Sequence, residues 1–130
     1  MNINEHIKYW LESADHDLEV AETLFQTGKY DWCLFLGHLV LEKTLKAIFV
    51  KVNENKVPPK IHNLVKLSKI SSVNLDDEQK IFLDEVNDFN LETRYPDYKF
   101  EFYNRCTKEY TNRYFIKIKE CYKWLKSQTE

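Results

Sequence analysis

The hydrophobic pattern of the chain is dominated by one stretch, YDWCLFLGHLVLEKTLKAIFVKV, from Tyr30 to Val52. It continues for about six helical turns without proline and with a single glycine. At about 100° per residue, Cys33, Leu34, Leu36, Val40, Leu41, Leu45, Ala47 and Ile48 cover most of the circumference. His38, Glu42, Lys43 and Lys46 form the polar interruption. A helix this apolar has to be covered on more than one side, yet it is too short and too charged to span a bilayer. The pattern therefore predicts the central helix of a bundle, with Leu41 and Leu45 in its core and Gly37 and Ala47 admitting close neighbours. Its apolar circumference exceeds what a bundle of this size needs to cover, which predicts a homodimer.

The rest of the chain reads as helices around that centre. Ile7, Trp10, Leu11, Ala14, Leu18, Ala21, Leu24 and Phe25 recur at threes and fours and predict a first helix from about Asn4 to Gln26, capped by Asn2 or Asn4. Thr27-Gly28 supplies its stop, and the connection is so short that the second helix has to return antiparallel. NENKVPPK, from Asn53 to Lys60, ends the second helix. Leu64, Leu67 and Ile70 predict a short third helix with His62 or Asn63 at its N-cap, and Ser71 to Leu75 break it.

Asp76, Asp77 and Glu78 place three acids where a helix dipole favours them, and Ile81, Phe82, Val86 and Phe89 predict the buried side of a fourth helix ending near Asn90. LETRYPDYKFEFYNRC has a proline and many aromatics without helical period and predicts a long structured loop. A last helix is expected from Asn104 or Thr107 to Ser127, with Tyr110, Tyr114, Ile118, Cys121, Trp124 and Leu125 inward. Arg105, Lys108, Lys119, Lys123 and Lys126 form a basic stripe beside them. The fold class is all-α: an antiparallel up-down bundle of four main helices plus one short helix, filling residues 1–130 as a single domain.

Composition agrees with this reading, since aromatics make up 15% of the chain while glycine and proline number only 2 and 3. No leader or membrane-spanning segment is evident, which makes the cytoplasm the expected location. The three cysteines, Cys33, Cys106 and Cys121, form no CxxC pair, so buried reduced thiols are expected rather than a metal or redox site. The net charge of −2 conceals a segregation. Residues 1–27 carry six acids and only Lys8, whereas residues 99–126 carry eight Lys or Arg and three acids. Either these faces meet, inside the bundle or across a dimer, or both are solvated.

Three groups of residues are candidates for chemistry. His38 and Glu42 share a helix face, and with Lys46 they read either as an acid/base pair or ligand notch, or as a polar seam that fixes helix register. Arg94, with Tyr95 beside it, stands just ahead of a proline in backbone expected to be extended; it suits bidentate phosphate recognition, or an ion pair with Glu42, Asp17 or another acid. His62, between Lys60 and Lys66, is placed to receive an anion or to cap a helix. No P-loop, glycine-rich phosphate loop, HExxH or nucleophile elbow is present, so no cofactor or metal is expected.

Four strings occur in order: a W-x3-A-x2-DL-x2-A helix (Trp10, Ala14, Asp17, Leu18, Ala21), HLVLEKTLKA from His38, Pro59-x2-His62-Asn63-Leu64, and RYPDY from Arg94. Together they resemble the HEPN domain family, named for higher eukaryotes and prokaryotes nucleotide-binding. The resemblance implies a small stand-alone helical protein that dimerises. It also implies a minimal nucleotidyltransferase partner in a toxin–antitoxin-like unit, and nucleotide or RNA as ligand. Ribonucleases of the family carry an Arg followed four to six residues later by His. Here every histidine (His6, His16, His38, His62) precedes every arginine (Arg94, Arg105, Arg113). The expectation is a non-catalytic binding module. The alternatives are a metal-independent ribonuclease with a site displaced to His38, Glu42 and Arg94, and a purely structural dimer.

Overall fold

The Asn2 side chain accepts a hydrogen bond from the Glu5 amide and starts α1, Ile3–Gln26. Gly28 turns the chain at φ +76°, where a residue without Cβ is unstrained, and sends it back as α2, Tyr30–Val52. A 2.7 Å ion pair between Asp17 and Lys43 joins the two arms of this hairpin. Asn53 ends α2, and its side-chain amide donates to the carbonyls of Phe49 and Ile70. Asn63, not His62, caps α3, Leu64–Ile70, by accepting from the Lys66 amide. Asp76 and Gln79 form a capping box at the head of α4, Asp77–Arg94, and Thr107 caps α6, Lys108–Ser127. Between them lies a second short helix, α5, Glu101–Arg105. This computed structural model describes residues 1–97 and 100–130. Tyr98, the last residue of RYPDY, and Lys99 lie outside the described residues.

All regular structure among the described residues is helical, with four long helices and two short ones. The segment expected to be one long loop departs from that expectation at both ends. Proline restricts only the residue before it, here Tyr95, so α4 continues past Asn90 to Arg94 before it stops. Arg94 therefore belongs to the last turn of a helix rather than to an extended loop. Farther on, the Asp97 carboxylate accepts from the Glu101 amide and helps start α5, which carries the buried Phe102 onto Phe89 with ring centroids 5.6 Å apart.

Helix α2 is the hub, packed against α1, α6, α4, α3 and α5 in turn. Leu34, Val40, Leu41, Leu45, Ala47 and Val50 are fully buried. One chain therefore covers the apolar circumference of α2, and the sequence argument that a second copy is needed for that purpose does not hold. Gly37 is where α6 comes closest: a Cβ there would lie 2.8 Å from Cδ1 of the buried Ile118. Two apolar residues expected inside are outside. Ile81 is 62% exposed because the core face of α4 runs through Leu83, Val86, Phe89 and Asn90. Trp124 is exposed because the core face of α6 runs through Thr111, Phe115, Ile118, Tyr122 and Leu125.

The segregated charges meet within the chain, Lys119 with Glu22 at 3.3 Å and Lys126 with Asp15 at 3.7 Å. Arg105, counted in the basic stripe, instead lies in α5 and pairs with Glu92 at 3.6 Å. Cys33, Cys106 and Cys121 are free thiols whose pKa burial pushes up to about 12, as inert core sulfurs require. Among the described residues, no helix is long and apolar enough to cross a membrane.

Candidate functional site

Helix periodicity places His38, Glu42 and Lys46 in one row along α2, and the bundle buries all three. A buried charge needs a partner, and Glu42 has two: Oε2 accepts from Lys46 Nζ at 3.0 Å, and Oε1 accepts from His62 Nδ1 at 2.8 Å. The Trp10 ring of α1 lies over Lys46, with the ammonium 5.5 Å from the ring centroid. His62 belongs to the loop before α3, and its side chain is 57% exposed. Its Nδ1 is committed to Glu42, while its Nε2 has no protein partner among the described residues.

A second chain of hydrogen bonds reaches His62 from α4. The backbone carbonyl of His62 can only accept, so His38 Nε2, 2.9 Å away, carries the ring proton and donates. That leaves Nδ1 of His38 to accept from the Asn90 amide at 3.3 Å, and Asn90 Oδ1 accepts from Arg94 Nη1 at 3.2 Å. Arg94 also donates to the Tyr95 hydroxyl and lies over its ring, 5.3 Å from the centroid. Arg94 has no carboxylate partner among the described residues. Asn87, one turn before Asn90, accepts from the Leu64 amide at 2.9 Å and holds the start of α3 against α4.

His38, Glu42, Lys46, His62, Arg94 and Tyr95 thus enter one connected network, with Lys60 and Lys66 outside it, although His38 and Glu42 do not pair as expected. Their Nδ1···Oε1 separation is 3.9 Å, too long for a hydrogen bond. Glu42 serves His62 instead, and His38 serves the backbone. Burial pushes the His38 pKa below the usual histidine value, and the nearby Glu42 carboxylate opposes the shift without overcoming it. The ring is therefore held neutral, as its donor–acceptor pattern requires.

A model of the HEPN domain matches residues 7–128, nearly the whole chain. The chain belongs to the HEPN domain family. The crystal structure of an archaeal HEPN homologue superposes with a TM-score of 0.75, covering 96% of this chain and 98% of that one at 20% identity. At that identity the likeness concerns the fold. No curated protein matches the chain.

In this HEPN protein the groups facing solvent are therefore His62, Arg94 and Tyr95, whereas His38, Glu42, Lys46 and Asn90 form the buried frame behind them. Asn87 and Asn90 are not among the candidates because a helix ending near Asn90 does not carry their row on to Arg94. The available signal was the spacing of Asn87, Asn90 and Arg94 at i, i+3 and i+7, a polar row on an otherwise apolar helix face.

The depressed His38 pKa has a consequence for stability. The unfolded chain binds a proton near pH 6.5 that the folded chain takes up only at lower pH, so His38 makes stability rise with pH across that window. Acidification from pH 7 through 6.5 and below is expected to weaken the fold with a slope of at most about 1.4 kcal/mol per pH unit from this group. Urea midpoints against pH for wild type and His38→Gln check this, with the variant showing the flatter profile. Equal slopes would show that His38 titrates as it does in the unfolded chain.

Proposed function

We propose that this HEPN chain is a non-catalytic binding module whose ligand is a phosphate-bearing nucleotide or RNA held at Arg94 and His62. The observation that carries the reading is that the network presents to solvent a guanidinium and an imidazole edge which have, among the described residues, no carboxylate and no protein partner respectively. The guanidinium suits phosphate oxygens as it stands, His62 Nε2 donates to one when the ring carries a proton on both nitrogens, and the exposed Lys60 and Lys66 flank His62 with further positive charge. The Tyr95 ring, 67% exposed beside Arg94, offers a face on which a base can stack. Titration of ATP or a short single-stranded RNA is expected to lose at least tenfold in affinity in Arg94→Ala and in His62→Ala, with the fold unchanged by circular dichroism. Binding unaffected by both substitutions would refute the site.

By the family resemblance, the module acts as a homodimer with a minimal nucleotidyltransferase in a toxin–antitoxin-like unit. Since α2 is covered within one chain, a second copy would seat on other exposed apolar surface, for which the corner of Trp32, Leu91, Phe100 and Tyr103, each at least 45% exposed, is suited. Light scattering at tens of micromolar is expected to show a dimer, and a monomer alone would count against it.

A second reading, the metal-independent ribonuclease with a displaced site, is favoured by one feature. His62 hydrogen-bonded to a buried carboxylate has the form of an acid/base dyad with its other nitrogen open, so the proton-transfer role considered for His38 would fall to His62, beside Glu42 and Arg94. Against it, the histidine and the arginine stand on different elements and not on one short helical segment that would fix their distance. Purified protein is expected to show no cleavage of single-stranded RNA beyond a background that His38→Ala, His62→Ala and Arg94→Ala all leave unchanged. Robust cleavage lost in any of them would make it an enzyme.

A further inference from the structure

Helices α4 and α6 run antiparallel on α2, and Tyr114 joins them at one level. Its hydroxyl bonds to Glu85, and its ring stacks on Phe82 at 6.4 Å and meets Phe89 edge-on at 5.2 Å. Toward Leu75 and Trp124 the helices leave an open groove with Phe82, Leu83 and Cys121 among its lining residues. Ile81, 62% exposed, and Trp124, 37% exposed, present large apolar surface there. The shape is that of a bundle lacking one helix.

Charge indicates what would fill it. The lining carries Glu78, Glu85 and Glu120 against Lys117 alone. On α1, by contrast, Asp15, Asp17 and Glu22 each meet a lysine of α2 or α6. Glu78 and Glu120 meet no cation among the described residues, and Glu85 bonds to a tyrosine. A second copy seated groove on groove would bring two surpluses of carboxylate together. We infer that the groove docks an amphipathic helix of a different polypeptide, one that inserts apolar side chains spaced i, i+3 or i+4, and i+7 and flanks them with Lys or Arg. This surface is separate from the His62–Arg94 network and does not depend on it.

The test uses two synthetic helical peptides with the same Leu and Phe spacing, one flanked by lysines and one by glutamates, titrated into the full chain by fluorescence anisotropy. The lysine peptide is expected to bind at least tenfold more tightly than the glutamate peptide. Ile81→Asp should weaken it at least tenfold even though that change makes the groove more negative, so apolar insertion and simple charge attraction predict opposite signs. Trp124→Ala and Glu78→Lys should each weaken it as well, while Val57→Asp, on the exposed loop after α2, should not. Ile81 and Trp124 lie outside the core, so unchanged melting temperatures are expected to accompany these losses. Equal binding of both peptides, or undiminished binding to Ile81→Asp, would overturn the proposal. So would a dimer by light scattering that Ile81→Asp converts to monomer, since a second copy would then be the occupant.

Discussion

Leu41→Asp is expected to abolish the cooperative unfolding transition and to leave a chain without a native near-ultraviolet circular dichroism signal. Leu41 is fully buried in the middle of α2, and Leu45, one turn on, is equally buried. A carboxylate placed there enters an apolar cluster that includes Leu34, Leu45 and Ile118. It either ionises unpaired in the core or binds a proton, and each course costs several kcal/mol. Against a total stability of roughly 5–15 kcal/mol, that is enough to unfold a domain of this size. Leu45→Asp should behave in the same way. A soluble variant that still melts cooperatively would mean that α2 is not the structural centre.

The second large effect is expected at Glu42. Glu42→Leu removes the buried carboxylate but leaves the Lys46 ammonium, 8% exposed, with the Trp10 ring as its one remaining partner among the described residues, and frees the ring of His62. Breaking one side of a buried ion pair costs about 3–5 kcal/mol, whereas replacing both sides with apolar groups of similar size is often neutral. Glu42→Leu/Lys46→Met should therefore recover most of the loss, and Lys46→Met alone should cost less than Glu42→Leu because His62 can still serve the carboxylate. Urea denaturation of the three variants gives the coupling directly. Strictly additive losses would show that Glu42 and Lys46 do not act as a buried pair.

The architecture was legible because its signals are local. The boundaries of α2 follow from one uninterrupted apolar run, Gly28 marks the turn before it, and the acids at the head of α4 announce a helix start. The exposure of Ile81 and Trp124 is not legible for a related reason: periodicity says that a helix has an apolar side but not how far that side rotates onto a neighbour. Arg94 reads as part of a loop from the sequence because of the nearby proline, which in fact constrains only Tyr95, the residue before it. The candidate residues themselves were legible by type and spacing. Their pairing was not, since the choice of Glu42 between His38 and His62 is made by the path of the loop after α2, some twenty residues away in sequence. Asn90, which links Arg94 to His38, acquires its role entirely from the packing of α4 on α2.

The position of α2 also bears on how the molecule breathes. Every other helix leans on it, so its backbone cannot be exposed by peeling away a single neighbour. Slow hydrogen exchange should consequently concentrate between Leu34 and Val50, where amides reach solvent only when the whole fold opens, while α3 and α5, held mainly at one face, exchange through smaller local openings. The frame of the His62–Arg94 network, His38, Glu42 and Lys46, thus stands on the most persistent element of the chain, while His62, in the loop before α3, stands beside one that opens more readily.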